Sequence, residues 1–264
     1  MKKTALVLTV IVSAASISAG KIYWDDKIQR QTATAASQRV ASTPAVESTN
    51  SIQPELVAVN LTKNLPRPAA DVIMNAEKGG KPVKLVLFGS DTSNGEKNSW
   101  SDQFQRKLKE HYPPGIFQMQ SIFLKDKTSK EVLSEKLYSK VVEAKPDLLL
   151  LEPFILEDNG KVGIDRTLEN ITVLKNRIQS AKKDCIIMIQ PSYPLYDAKY
   201  YPKEVEKLKN YATENGIAYL NHWENWPPGN LEDLLSYLNE DETAPSPRGQ
   251  KAWADYLTKV FVRK

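Results

Sequence analysis

Short apolar runs alternate with amphipathic stretches along the chain after residue 80. Five of the apolar runs have the length and composition of buried strands. They are Val83–Phe88, Phe117–Leu124, Asp147–Leu151, Ile186–Gln190 and Ile217–Leu220. Stretches with apolar positions three and four residues apart predict helices between and after these strands. They are Ser99–His111, Lys130–Ala144, Leu168–Ala181, Lys203–Asn215 and Arg248–Phe261, and a shorter helix is predicted at Pro68–Ala76.

This alternation predicts the α/β class, because strands that alternate with helices form a parallel sheet with helices on both faces. The prediction is a single doubly wound domain with a five-stranded, flavodoxin-like parallel sheet over residues 67–264. In such a sheet, ligands bind at the carboxyl ends of the strands. The loops that follow the strands are therefore where functional residues are expected.

The N-terminal region has a different pattern. Lys2 and Lys3 precede the uncharged segment Thr4–Gly20, which is typical of a signal peptide or an N-terminal anchor. With Tyr23 included, the apolar helix approaches the about 20 residues that span a bilayer. Residues 1–24 are therefore predicted to be a signal peptide or membrane anchor. The body would lie outside the cell membrane, or be secreted if the leader is cleaved.

Residues 25–66 are rich in Thr, Ala, Ser, Gln, Val and Pro, and they have few aromatic residues and no sustained period. A segment of this composition cannot bury enough apolar surface to order itself. It is predicted to be a disordered, flexible linker between the N-terminal helix and the domain.

Composition argues against several functions. The net charge is +4, from 36 basic and 32 acidic residues, and no basic stripe carries interleaved aromatic residues, so no nucleic-acid partner is predicted. Cys185 is the only cysteine and opens an apolar run, which indicates a buried hydrophobic residue. Glu152 and its neighbours lack a histidine pair or calcium-loop spacing, and the loop at Gly89 fits no nucleotide motif. No metal or cofactor is predicted.

Three loops after strands hold the candidate chemistry. Ser90 and Asp91 follow the first strand, Asn159 follows the third, and His222 follows the fifth. Each also has a structural interpretation. Ser90 and Asp91 can cap the following turn, and Asn159 can be a turn residue before a glycine. His222 can be a satisfied, packed histidine among tryptophans.

These blocks resemble those of the SGNH, or GDSL-type, hydrolase family from roughly residue 84 to the C-terminus. In that family the first strand ends in Gly-Asp-Ser, whose serine is the nucleophile. An asparagine after the third strand contributes to the oxyanion hole, and a closing Asp-x-x-His supplies the orienting group and the base. The corresponding segments here are Gly89-Ser90-Asp91, Asp158-Asn159-Gly160 and Asp241-Glu242-Thr243-Ala244. The following Pro245-Ser246-Pro247-Arg248-Gly249-Gln250 is similar to the family's Pro-Asn-x-x-Gly-His ending.

Two positions depart from the family pattern. Asp91 occupies the nucleophile position, with Ser90 one place early, and Ala244 occupies the position of the base. An activated serine needs a base within hydrogen-bond reach. His222 is the candidate for a relocated base, and Asp91 is itself a candidate carboxylate nucleophile or general base.

The resemblance implies an esterase or acyl hydrolase, and the N-terminal pattern predicts that it acts outside the membrane, with O-acylated envelope polysaccharide as the candidate substrate. Ser90, Asp91, Asn159 and His222 are its predicted catalytic residues. The alternative is a non-catalytic domain of the same fold that binds glycan or an envelope partner, since a fold does not fix a function. Aromatic residues in the fourth and fifth loops suit a carbohydrate surface. They suit a hydrophobic cover over those loops equally well.

Overall fold

The computed structural model describes residues 54–90 and 97–263, with side chains from residue 57 onward. The predicted N-terminal apolar helix, most of the predicted linker and Asp91 lie outside the described residues. Within those two ranges, no helix has the length and apolar character needed to cross a membrane.

The sheet has five parallel strands in the order β2-β1-β3-β4-β5. The strands are β1 Val83–Ser90, β2 Phe117–Leu124, β3 Leu148–Leu151, β4 Ile186–Ile189 and β5 Ala218–Tyr219. All five lie where the apolar runs predict them, and β1 extends two residues further than predicted. β1 pairs with β2 on one side and with β3 on the other, so its carboxyl end lies between the carboxyl ends of these two strands.

Nine α-helices are found in the described residues. They are α1 Pro54–Leu61, α2 Arg67–Gly79, α3 Trp100–His111, α4 Ser129–Ser134, α5 Ser139–Ala144, α6 Ile155–Asp158, α7 Ile164–Ala181, α8 Tyr201–Glu214 and α9 Pro247–Phe261. The single helix predicted at Lys130–Ala144 is wrong, because the chain there forms α4 and α5. Lys136 has a φ of 54° between them, a left-handed conformation that interrupts a helix.

Helices cover both faces of the sheet, which confirms the doubly wound α/β prediction. Leu85 and Leu87 of β1 belong to a core that includes side chains of α3 and α9. Val86 and Phe88, which alternate with them, belong to a second core that includes side chains of α7 and α8. Such continuous burial of a strand on both faces is what produces an unbroken apolar run in the sequence.

The folded part begins earlier than the predicted boundary at residue 67. Within the segment 54–66, Ala58 and Thr62 are buried, and a 3₁₀ helix at Thr62–Asn64 follows α1. The Arg263 backbone N–H donates to the Leu61 carbonyl at 2.9 Å, and the Asn64 side chain donates to the carbonyl of Lys259 at 2.8 Å. The end of the predicted linker is therefore part of the domain, held by the C-terminal end of α9.

Candidate functional site

The carboxyl ends of the strands bring Ser90 and Glu152 together. Ser90 is the last residue of β1, and Glu152 directly follows β3, the strand beside it. The Ser90 hydroxyl donates to the Glu152 carboxylate, with distances of 2.8 and 3.0 Å to its two oxygens. The Ser90 backbone N–H donates to the same carboxylate at 2.7 Å. Each residue is 2% exposed, so the pair is enclosed.

Gly89 makes this contact possible. A Cβ atom at position 89 would lie 2.5 Å from Glu152 Oε2 and 2.7 Å from both its Cβ and its backbone oxygen. Real Cβ atoms do not approach other atoms this closely, so only glycine fits beside the glutamate. Gly89 therefore allows the end of β1 to lie close to the side chain and backbone of Glu152. Glycine is often found in strands where another segment approaches this closely.

Burial dominates the electrostatics of Glu152. Desolvation raises the pKa of its carboxyl from 4.5 to about 8, against the lowering effect of the hydrogen bonds from Ser90. The Ser192 hydroxyl also lowers this pKa, and the charge of Glu157 raises it. A carboxyl with a pKa near neutrality, bonded to a serine hydroxyl, is the arrangement that a general base requires.

A second serine–carboxylate pair in the domain has a structural role. The Ser129 backbone N–H and hydroxyl donate to Asp158 at 2.8 and 2.5 Å, and the Thr167 hydroxyl donates to the same carboxylate at 2.6 Å. These bonds join α4, α6 and α7. The same bonding pattern can therefore serve only to hold elements together, and Ser129 provides a matched comparison for Ser90.

Asn159 lies at the end of α6, directly after the buried Asp158. Its backbone N–H bonds to the carbonyl of Ile155 at 2.9 Å, as expected of a residue that ends a helix. No hydrogen bond joins Asn159 to Ser90 in the described part of the chain. The structure brings Ser90 to Glu152, and in the described residues no hydrogen bond joins Asn159 to either of them.

His222 is fully buried, and both of its ring nitrogens are occupied. Nε2 lies 2.9 Å from the carbonyl oxygen of Pro191, and Nδ1 accepts from the Trp226 indole at 3.0 Å. The ring stacks on Trp253 with centroids 4.0 Å apart and planes 8° apart. Because a carbonyl oxygen cannot donate, Nε2 carries the proton and Nδ1 has no free lone pair. This arrangement matches the packed histidine and leaves no nitrogen free to act as a base for Ser90.

His222 should remain neutral throughout the range in which most histidines titrate. Burial lowers the pKa of its imidazole from 6.5 to about 3, against the raising effect of the nearby carbonyls of Pro191 and Ser192. We expect its ring ¹⁵N chemical shifts to stay those of the Nε2–H tautomer between pH 5 and 9. The ring of His111 gives a second imidazole in the same NMR spectrum. A His222 titration midpoint above pH 5 would contradict this assignment.

The closing block of the resemblance contributes turns and packing. Asp241 is exposed, and Ala244 accepts a hydrogen bond from the backbone of Asn239 and donates one to its side chain. Gln250, at the family's final histidine, is buried and accepts from the backbone N–H of Trp100 at 2.7 Å, at the start of α3. These hydrogen bonds hold the closing segment in place, although Ala244 supplies no acid–base group.

The sequence alone predicts no role for Glu152 or Ser192, although both lie in loops that directly follow strands. The signal for Glu152 was a carboxylate directly after four buried leucines, at the carboxyl edge of the sheet. A charged group in that position must be paired or have a shifted pKa. No group of three or more His, Cys, Asp or Glu residues in the described segments could hold a metal ion.

The domain has the fold of the SGNH, or GDSL-type, lipases and esterases. A lipolytic protein of the G-D-S-L family from Desulfitobacterium hafniense matches with a TM-score of 0.55 and 20% identity, covering 67% of this chain and 99% of that one. A lipase/acylhydrolase from Enterococcus faecalis has a TM-score of 0.54 and 16% identity, covering 67% and 94%. A carbohydrate esterase of family 3 from Talaromyces cellulolyticus has a TM-score of 0.54 and 12% identity, also covering 67% and 94%.

The resemblance stated from the sequence is thus confirmed at the level of the fold. No family model matches the sequence, and no curated protein matches it. At these identities the structural likeness establishes the architecture and leaves the chemistry to the residues at the sheet edge.

Proposed function

We propose that this protein hydrolyses acyl esters, with Ser90 as the nucleophile and Glu152 as its general base. The observation that carries the proposal is the hydrogen bond of 2.8 Å from the Ser90 hydroxyl to an enclosed carboxylate. Its position at the carboxyl end of the first strand, in an SGNH-type fold, is where chemistry is expected in an open α/β sheet. Glu152 thereby replaces the missing base of the closing block.

In the proposed reaction, Ser90 Oγ forms a bond to the ester carbonyl carbon while its proton moves to Glu152. The carbonyl electron pair moves onto the oxygen and returns when the alcohol leaves, taking the proton from Glu152. Water then attacks the acyl-serine, gives one proton to Glu152, and releases the acid as that proton returns to Ser90 Oγ. Glu152 can accept a proton only as a carboxylate, so activity should rise with pH through about 8, the pKa of this group.

The finer parts of the proposal concern substrate and location. We place the substrate among O-acylated envelope polysaccharides, because the N-terminal pattern indicates a body outside the membrane and one structural relative is a carbohydrate esterase. Asp91 remains the alternative nucleophile, as the residue at the family's serine position. Asn159 is retained as a proposed oxyanion donor, a contact that would form only with bound substrate.

Ser90→Ala is the direct test of the mechanism. We expect the hydrolysis of a short p-nitrophenyl ester to fall by about a thousandfold or more, because the nucleophile is lost. Glu152→Gln should cause a loss of similar size. Fluorophosphonate labelling should occur on the unaltered protein and be absent from Ser90→Ala.

Ser129→Ala is the matched control, because it removes a buried serine hydroxyl from a buried carboxylate elsewhere in the domain. It should retain full turnover per folded molecule. Asp91→Ala distinguishes the two nucleophiles: loss in that variant, with activity and labelling preserved in Ser90→Ala, would reject Ser90. Activity preserved in both variants would reject the site altogether.

A non-catalytic role is favoured by one observation, the enclosure of the pair. Ser90 and Glu152 are each 2% exposed, so a substrate reaches them only if neighbouring groups move. In this case Ser90 would resemble Ser129 and simply hold two strands together. An unaltered protein that resists fluorophosphonate but binds a glycan would support this second function.

A further inference from the structure

Two hydroxyl groups near the Ser90–Glu152 pair are enclosed and have no hydrogen-bond partner. They are Ser192 Oγ, in the loop after β4, and Tyr201 Oη, at the start of α8. Ser192 is 0% exposed and Tyr201 is 1% exposed. Buried hydroxyls nearly always have partners, so a pair of unpartnered ones indicates a missing contact.

The loop that carries Ser192 lies beside Glu152. β4 pairs with β3, and the backbone N–H of Gln190, two residues before Ser192, donates to the carbonyl of Leu151, the residue before Glu152, at 3.0 Å. The Ser192 hydroxyl also lowers the pKa of the Glu152 carboxyl and acts against the burial that raises the pKa of Tyr201, as expected of a hydroxyl near both groups.

Two ring side chains bind the backbone carbonyls of Pro191 and Ser192. The carbonyl of Pro191 bonds to His222 at 2.9 Å, and the carbonyl of Ser192 accepts from the Trp223 indole at 2.7 Å. Both donors lie in the 3₁₀ helix His222–Asn225 that follows β5. The backbone of the loop is thus held by fully or partly buried side chains, whereas the Ser192 hydroxyl has no hydrogen-bond partner.

We propose that Ser192 is a positioning residue for the proposed ester hydrolysis: its hydroxyl holds the Glu152 carboxylate toward Ser90, and the Tyr201 hydroxyl orients Ser192 in turn. The proposal rests on the proposed function, because it assigns to Ser192 a role in presenting the base. It also assigns a purpose to the buried His222, which fixes the loop and does not itself exchange protons with Ser90.

The hydroxyls of Ser192 and Tyr201 would control the ionisation of Glu152. The other titratable groups that act on or around this carboxyl are Glu157, Tyr193 and Tyr201. Glu157 opposes its ionisation, and burial raises the pKa of both tyrosines, so that they stay neutral donors. Ser90 supplies a hydroxyl donor that favours the ionised form, and in this proposal Ser192 supplies a second.

Ser192→Ala tests the proposal in two independent measurements. The pH at which ester hydrolysis reaches half of its maximum should move upward, because a donor that favours the carboxylate is removed. We expect kcat below that pH to fall about tenfold with KM little changed, since the base and not the binding of substrate is affected. Tyr201→Phe should shift the profile in the same direction by less, and Ser192→Thr, which keeps a hydroxyl, should restore it.

The second measurement does not require activity. In protein labelled with ¹³C at the glutamate side-chain carboxyl, the Glu152 signal is assigned by its loss in Glu152→Gln, and its titration midpoint should rise in Ser192→Ala. Ser129→Ala, the control, should leave it unchanged. An unchanged midpoint in Ser192→Ala would overturn the positioning role even in an active enzyme. If the midpoint rose in Ser192→Ala but the unaltered protein hydrolysed no ester, the contact between Ser192 and Glu152 would be supported and the proposed function rejected.

Discussion

Gly89→Ala is expected to destabilise the domain by about 3 kcal/mol and to disrupt the candidate site at the same time. The added methyl group would lie 2.5–2.7 Å from three atoms of Glu152, one of them a backbone oxygen. That backbone cannot withdraw freely, because the Glu152 N–H bonds to the carbonyl of Phe88 at 2.8 Å and thereby ties β3 to β1. Urea unfolding followed by circular dichroism measures the loss in free energy of unfolding.

Gly79→Ala provides the comparison for this variant. Gly79 is the last residue of α2, and a Cβ atom there would meet nothing within 4 Å. Alanine in that helical position should be neutral or stabilise the domain by up to about 1 kcal/mol. Equal stabilities of the two variants would show that the strands can separate at Glu152 without cost, and would contradict the requirement for glycine beside Glu152.

Glu152→Gln is expected to change how stability depends on pH. The pKa of Glu152 is about 8 in the folded protein against 4.5 as its ordinary value, so the folded state holds a proton that the unfolded state releases. Its stabilising contribution is therefore complete below pH 4.5 and is lost as the pH rises through 8. The total loss is on the order of 5 kcal/mol, from about 1.4 kcal/mol per pKa unit.

The difference in free energy of unfolding between the unaltered protein and Glu152→Gln isolates the contribution of Glu152. His222, whose pKa is lowered, acts with the opposite sign: its contribution is present above pH 6.5 and is lost as the pH falls toward 3. Both proteins share it, so it cancels when their free energies of unfolding are subtracted at each pH. The unaltered protein should lose stability relative to Glu152→Gln between pH 5 and 9. If the free energies of unfolding of the two proteins changed in parallel with pH, burial would not raise the pKa of Glu152.

The fold was predictable because its signals are local and repeated. Each buried strand shows as an apolar run, and each main helix has an apolar stripe, as in α8 with Val205 and Leu208. The prediction was wrong between α4 and α5, where a left-handed residue, Lys136, breaks a continuous helical pattern. Lysine gives no sequence signal for that conformation. The start of the domain was placed too late because this segment is ordered by bonds to distant residues: Leu61 accepts from Arg263, and Asn64 donates to Lys259.

The candidate site was predictable only in position. Ser90 was identified from the glycine that ends a strand, but its partner is 62 residues away in sequence. No spacing rule connects Ser90 with Glu152; the pairing of β1 with β3 does. His222 illustrates the opposite case, because its place after β5 suggested chemistry. Its contacts with Trp226 and Trp253, which sequence position alone does not specify, make it a core residue.

The bond between Ser90 and Glu152 also has a consequence for the order of folding. It joins two segments with β2 and three helices between them, so it can form only after this long loop has closed and β3 lies beside β1. Contacts of such high sequence separation are costly in loop entropy and tend to form late. Disrupting this bond should therefore accelerate unfolding more than it slows folding, since the contact would be largely absent from the transition state.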